Sequence, residues 1–453
     1  MILNFKNKLN NDTYFRELVF GGFNSFVFKI VGIFISYLLT LYITNHYGAT
    51  AYGTLTLLIT IVAIFTLVPQ FGMHDSLIRI VSELKILKRN NEIKMVAKMV
   101  LLFVFVVGSV FAFLLYISSN IISNNFLNKD ISELIKLVSV LILSNALTVV
   151  MSTFFQGLGK IKTFAIISFV LNSTIFLLLI LFSNTVNTIY GLIVMAIISS
   201  IVSFIIVAII LLVTFLKLKI DKEKKTNKYS LKEILKISSP MLMTSSFLMV
   251  IYWSDVIMLG IYKSEADVGV YHVVQKLTTS TNFVLASVIT VFAPKVTKLY
   301  VKNDIQRLAV LANQATKIIF FVSLPILVGL LSFSNFIMGL FGDEFILGVP
   351  ALILLTIAQF VNVSTGAVGE LLNMTNYQKT KQKIVMTAAV VNIILNYILI
   401  PIYSINGAAI ATMISIIFWN IAMVIKVKEK LNFWNFYFPF FCIRSIKNET
   451  HNI

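Results

Sequence analysis

Twelve apolar stretches, each about 20 residues or longer, alternate with short polar turns along the chain. They fall at about 18–45, 50–73, 97–121, 134–156, 163–183, 188–216, 234–262, 268–293, 316–339, 348–372, 383–402 and 405–426. About 20 apolar residues at 1.5 Å of helical rise cross a hydrocarbon core about 30 Å thick, so each stretch predicts a transmembrane helix. Basic residues occupy alternate turns. Arg79, Lys85, Lys88, Arg89, Lys94 and Lys98 follow the second span, Lys160 and Lys162 the fourth, and a run from Lys217 to Lys236 the sixth. Lys295, Lys298, Lys302, Arg307 and Lys317 follow the eighth, and Lys379, Lys381 and Lys383 the tenth. The opposite turns hold only Lys129 and Lys263, beside Asp130, Glu265, Asp267, Asp343 and Glu344. The positive-inside rule then places both termini in the cytoplasm, because a single miscounted span would scramble the alternation.

Composition narrows the class. With 453 residues, 58% hydrophobic and only 12% charged, the chain carries half the charge of a soluble protein, where about 25% is usual. Mean hydropathy is +0.92. The fold expected is therefore an all-α polytopic membrane protein. A net charge of +18 would suggest nucleic acid for a soluble chain; here the basic turns account for it, and no nucleic-acid partner is expected. The first apolar stretch is about twice the length of a signal-peptide core and lacks a small-residue cleavage pattern, so no separable leader is expected. Cys442 is the single cysteine, and His46, His74, His272 and His451 form no ligand cluster, so neither a disulfide framework nor a metal site is predicted. The non-basic turns are about a dozen residues or shorter, too short for an outer catalytic domain or for the clustered carboxylates of a membrane glycosyltransferase or polymerase. No catalytic residues are assigned.

Ionisable groups inside spans are costly and mark function. Lys29 lies about 16 Å of rise into the first span, near the bilayer midplane. Ser25, Lys29, Gly32, Ser36 and Thr40 follow at i, i+4, i+7, i+11 and i+15, one polar or small stripe, with Asn24 beside it. The stripe either lines a wet cavity or packs another helix. Lys276 lies about 12 Å into the eighth span and shares a face with His272, Gln275 and Thr279. Asp255, in the seventh span, either binds a coupling proton or sodium ion or forms an ion pair with Lys276. Tyr37, Tyr52, Tyr252, Trp253 and Asn282 are further candidates to line a polar cavity.

Residues 217–233 divide the chain into halves that match at sparse positions. Tyr52-Gly53 and Gly269 with Tyr271 open the second helix of each half; Asn172 and Asn392 sit deep in the fifth and eleventh spans; Tyr190-Gly191 and Asn406-Gly407 open the sixth and twelfth. Both halves start on the same side, so the repeat is parallel. The domains expected are an N-terminal lobe over 1–216, a cytoplasmic linker over 217–233, a C-terminal lobe over 234–430 and an interfacial aromatic and basic tail over 431–453.

The ordered set YGATAYGTL, FGMHDSLIR (Phe71–Arg79), QGLGK, the stretch Asp255–Tyr271 and VFAPK (Val291–Lys295) resembles the polysaccharide transport branch of the MOP exporter superfamily, nearest the Wzx-type flippases. The resemblance runs to about Lys430. It implies two six-helix lobes around a V-shaped cavity in a bacterial cytoplasmic (inner) membrane. It implies transport of an undecaprenyl-pyrophosphate-linked oligosaccharide for O-antigen or capsule synthesis, in contact with membrane lipids and other polysaccharide-pathway membrane proteins. On that arrangement Lys29 and Lys276 flank one cavity from opposite lobes, and two ammonium groups at low dielectric suit a pyrophosphate. No cofactor is expected; membrane potential, a proton or sodium would supply the drive. The competing reading within the superfamily is a cation-coupled small-molecule or drug exporter, for which acids rather than lysines would be expected in the cavity.

Overall fold

The computed structural model describes residues 13–183, 188–218 and 229–437, apart from the side chains of residues 13–26 and of a few positions within helices. The side chains of Asn24 and Ser25, residues 219–228 of the expected linker and residues 438–453 of the tail thus lie outside the described residues. The described chain is helical throughout, and eight helices are long and apolar enough to cross a membrane. Two of the eight are bent double, at Gly48 and at Ser404, and so hold spans 1–2 and 11–12. Leu231–Tyr262 and the helices within Glu265–Val301 cover the stretches expected as the seventh and eighth spans. The protein is a multi-pass membrane protein, built as two units that divide between Ser246 and Phe247.

The first unit contains α1 (Thr13–Gln70), α2 (Met73–Ile86), α3 (Asn90–Asn120), α4 (Ser132–Val138), α5 (Val140–Gly157), α6 (Ile161–Ala165), α7 (Asn172–Phe182), α8 (Ile189–Lys217) and the start of α9 (Leu231–Tyr262). Its core packs Leu77, Val81, Val96, Val100, Val150 and Phe154. On α3 the opposite face leaves Leu102 and Phe113 65% and 62% exposed, a pattern that is costly in water and natural against lipid. Lysines of the basic turns also close helix ends. Lys85 Nζ donates to the Leu158 carbonyl at the end of α5 (2.6 Å), and Lys94 Nζ to the Leu218 carbonyl at the end of α8 (2.9 Å). The last carbonyls of a helix lack internal donors and carry partial negative charge, so an ammonium satisfies both needs. Lys160 donates to Thr214 Oγ1 (3.2 Å); burial, then the charges of Lys217 and Lys85, push its pKa below the ordinary lysine range.

The unit boundary corrects the expected C-terminal lobe starting at 234. The first turns of α9 belong to the first unit because Ser76 and Ser238 share a buried hydrogen bond (2.6 Å) and Tyr229 OH donates to Glu83 (2.7 Å). Gly72 permits the approach: a Cβ there would lie 2.6 Å from the Ser238 carbonyl oxygen and from the Leu242 nitrogen. A charge-based boundary follows the solvated turn, whereas packing follows these contacts.

The second unit contains the rest of α9, α10 (Glu265–Thr278), α11 (Asn282–Val301), α12 (Ile305–Ser332), α13 (Ser334–Gly339), α14 (Val349–Thr365), α15 (Val368–Met374) and α16 (Gln378–Leu431). Ser264 and Asp267 form a capping box that starts α10. The tenth span is broken at Gly366, whose φ of 62° is left-handed and whose missing Cβ would overlap Thr316 Oγ1. The break strips the Ser364 and Thr365 carbonyls of helical donors. The segment after α16 replaces them: Asn435 Nδ2 donates to Thr365 O (2.9 Å) and the Tyr437 N–H to Ser364 O (2.8 Å). Thr316 Oγ1 donates back to Asn435 Oδ1 (3.2 Å), and the Tyr437 ring meets Phe320 edge-on at 5.3 Å. Phe433 and Asn435 are buried. The tail through Tyr437 is therefore part of the core rather than interfacial, as its aromatic composition had suggested, because a broken helix needed its polar groups.

Candidate functional site

Five spans of the second unit (7, 8, 10, 11 and 12) enclose a cavity of about 350 Å³, within the range of about 300–1,000 Å³ usual for small-molecule sites. Its eighth-span wall is shaped by a run of hydroxyls. Thr278, Thr279 and Thr281 donate to the carbonyls of Val274 (2.9 Å), Gln275 (2.7 Å) and Thr278 (3.1 Å). Side chains that compete for helix carbonyls loosen the helix, and here α10 passes through a single 3₁₀ turn, Thr279–Thr281, before α11. Gln275, Thr279 and Asn282 line the cavity from this span and Tyr252 from the seventh. These four were expected on polar faces, and the fold brings them together.

Facing them are amides that sequence reasoning missed. Gln359 and Asn362, one turn apart on α14, are joined to each other (Asn362 Nδ2 to Gln359 Oε1, 3.0 Å) and to the eighth span (Asn362 Nδ2 to Asn282 Oδ1, 3.3 Å; Thr281 Oγ1 to Gln359 Oε1, 3.3 Å). Asn420 on α16 accepts from Thr365 Oγ1 (2.7 Å). A glutamine and an asparagine at i, i+3 in an otherwise apolar span were the available signal, since amides in spans seek partners. Trp419, Glu370 and Lys381 complete the lining that concerns function.

Behind the cavity wall lies Asp255, fully buried. Tyr271 OH (2.5 Å) and Thr412 Oγ1 (2.6 Å) donate to its Oδ2, and Asn396 Nδ2 (2.6 Å) to its Oδ1. Asn392 braces the set, accepting from Ser254 Oγ (2.8 Å) and Asn396 Nδ2 (3.1 Å) and donating to Thr412 (3.2 Å). Three neutral donors, rather than the Lys276 ammonium, thus hold the carboxylate, which corrects the ion-pair alternative. Asn396 Oδ1 is buried without a hydrogen-bond partner beside it. Thr412 also lines the cavity, so one hydroxyl joins the buried acid to the cavity wall.

His272 and Lys276, both half-buried, are not among the cavity's lining residues. In the first unit the Lys29 stripe is largely a packing surface. Gly32 lies against the Phe169 backbone, where a Cβ would overlap the carbonyl oxygen, and Lys29 Nζ stands 5.5 Å above the Phe169 ring. Phe169 belongs to a π-helical turn, Ile166–Leu171, in the fifth span. Thr40 is buried and donates to the Ser36 carbonyl (2.9 Å), and Tyr52 is 5% exposed.

Helices broken at polar points, a buried carboxylate and an amide-lined cavity are the parts of a membrane transporter. The chain matches the family profile described as "Polysaccharide biosynthesis protein" over residues 18–300 and belongs to that family. It also matches the MatE profile over residues 240–398. Among curated proteins, it is 32% identical over 165 residues to the "Probable low-salt glycan biosynthesis flippase Agl15" of Haloferax volcanii, covering 36% of this chain and 35% of that one. Among solved structures, an inward-closed lipid II flippase MurJ aligns with a TM-score of 0.70 at 19% identity, covering 90% of this chain and 87% of that one. An inward-facing multidrug MATE transporter of the MOP superfamily aligns at 0.71 and 12% identity, covering 88% and 94%. The fold is that of the MOP superfamily.

Proposed function

We propose that the protein is a flippase that moves an undecaprenyl-pyrophosphate-linked oligosaccharide repeat unit across the cytoplasmic membrane of a bacterium, for O-antigen or capsule synthesis. The observation that carries this reading is an amide-lined cavity in a chain of the polysaccharide biosynthesis family. Amides donate and accept at once, as sugar hydroxyls do. Both termini lie in the cytoplasm, and the two lobes alternate access while the polyprenyl tail stays in lipid. Lys29 and Lys276 attract the headgroup. Transport of an anion outward is favoured by about 2.3 kcal/mol per charge per 100 mV of inside-negative potential. Asp255 is the coupling site for a proton or sodium ion, with the unpartnered Asn396 Oδ1 as a further oxygen ligand.

The test is translocation of a fluorescent undecaprenyl-pyrophosphate glycan in proteoliposomes. The intact protein should flip it, with Lys29→Ala and Lys276→Ala each at least about tenfold slower at unchanged thermal stability. Equal rates in both variants would reduce the lysines to structural charges. A second reading, a cation-coupled exporter, draws on the MatE match and on Asp255; proton- or sodium-driven efflux of a cationic dye without glycan flipping would select it.

A further inference from the structure

The cavity of the second unit has more unused hydrogen-bonding capacity than a packed interface would keep. Asn362 Oδ1, Gln359 Nε2, Asn282 Nδ2 and Gln275 Oε1 have no hydrogen-bond partner among the described residues, although the other end of each amide is bound. Two acceptors and two donors are therefore held in place by their own neighbours and left for the cavity. Along the eighth span the lining runs from Gln275 to Ile289, about 20 Å of rise, so these groups are spread along the helix axes rather than gathered at one point. Trp419 adds an aromatic side chain to the lining from the twelfth span, and a pyranose presents C–H edges that suit the negative face of such a ring.

At the end that bears the basic turns stands Lys381, in the first turn of α16. Its side chain is half-buried and lies against the first turn of α15, its Cε 3.4 Å from where a Cβ on Gly369 would be. Among the described residues its ammonium makes no hydrogen bond or ion pair. The one acid on the cavity lining, Glu370, takes its bond from Asn373 Nδ2 (3.1 Å) instead. A half-buried ammonium that makes no hydrogen bond or ion pair among the described residues, its charge offset through space by Glu370, stands next to a row of half-used amides, an order of groups that suits a sugar phosphate: one anionic end and a train of hydroxyls.

We propose that this cavity binds the phosphate-proximal sugar of the lipid-linked glycan, with a phosphate oxygen on Lys381 and the ring hydroxyls on Gln359, Asn362 and Asn282. The assignment rests on the flippase reading and gives the second unit a sugar-phosphate subsite distinct from Lys29 and Lys276. Glu370, on the same lining, accepts a sugar hydroxyl. The cavity holds roughly one or two rings at about 350 Å³, so the remaining sugars of a repeat unit lie outside it.

The full chain, labelled with 5-fluorotryptophan in nanodiscs, tests this by ¹⁹F NMR, the Trp419 resonance being assigned with Trp419→Phe. N-acetylglucosamine 1-phosphate should shift that resonance saturably, and a short-chain prenyl-diphosphate N-acetylglucosamine should do so at lower concentration. Lys381→Met should weaken both titrations at least about tenfold, Lys381→Arg should retain them, and Asn362→Leu should weaken them severalfold. An unmoved Trp419 resonance, or a Lys381→Met titration equal to the parent's, overturns the proposal. A prenyl-linked probe that binds no tighter than the soluble one overturns its lipid-linked source. The flipping assay run alongside separates the two claims. Flipping with an unmoved Trp419 leaves the transport reading standing without this subsite; a Lys381-dependent Trp419 shift without flipping leaves a sugar-phosphate site in a protein of another function.

Discussion

Asn172 and Asn392 occupy matching places in the two halves, deep in spans 5 and 11, and each meets a hydroxyl from the span that follows. In the first unit Ser203 Oγ donates to Asn172 Oδ1 (3.3 Å), and Ser144, Asn145 and Ser200 form a similar neutral set nearby. In the second unit Asn392 donates to Thr412, and both belong to the network that holds Asp255. One half uses the amide–hydroxyl pair to join helices. The other uses the same pair to hold a buried acid inside a span, where a polar side chain survives only with its oxygens bonded. The difference teaches that an internal repeat conserves a bonding device more readily than a task.

Asp255→Leu should have the largest effect. It strands three buried donors, Tyr271 OH, Thr412 Oγ1 and Asn396 Nδ2, at about 1–3 kcal/mol each, so a loss of at least about 3 kcal/mol is expected in detergent unfolding. Ser203→Ala in the first unit should cost only about 1 kcal/mol. Equal losses in the two variants would erase the contrast between the units.

Next come the close backbone approaches, where both units should respond alike. Gly32→Val forces a side chain onto the Phe169 backbone, and Gly407→Val does the same at Leu399. Each should cost about 1–3 kcal/mol by overpacking, read as a fall in the thermal midpoint. Tolerance at one site only would show that the units are unequally tight.

A smaller effect concerns the second unit's returning tail. Asn435→Ala leaves the Thr365 carbonyl unbonded and takes one of two acceptors from the Thr316 hydroxyl, and should cost about 1–2 kcal/mol. Thr316→Val, which removes a hydroxyl shared between the Ala312 carbonyl and Asn435 Oδ1 but leaves the Thr365 carbonyl bonded, should cost less. An unchanged midpoint in Asn435→Ala would mean that the break at Gly366 holds without the tail.

The smallest effect is at the basic end of the first unit. Lys160 has a folded pKa below its ordinary value, so the folded state bears a penalty while the amine is protonated, relieved as pH rises through that folded pKa. Lys217→Gln removes one cause. Its thermal midpoint should exceed the parent's near neutral pH, and the gap should close as pH rises. A pH-independent gap would assign the gain to something other than Lys160.

The all-α membrane class was legible in the chain because a bilayer imposes its own length rule: only runs of about 20 apolar residues cross it, and only helices satisfy their backbone there. Polar faces were legible too, as spacing: Gln275, Thr279 and Asn282 share a helix side in any fold that keeps the helix. What they face was not. Gln359, Asn362 and Asn420 lie some 80 to 140 residues from Gln275 and Asn282, and only packing sets them opposite one another. Asp255 had two candidate partners on paper, and tertiary structure chose Tyr271, Thr412 and Asn396 because those neutral groups could reach both oxygens from three other spans, the eighth, eleventh and twelfth. The unit boundary and the buried tail were likewise decided by contacts. Ser238 opens a span that charge assigns to the other half and is tied to the first unit by Ser76, while Asn435 sits in a stretch whose composition speaks of interface and is drawn inside by the Thr365 carbonyl. Periodicity is a property of one helix and can be read from its residues; a hydrogen bond between helices depends on where both have come to rest.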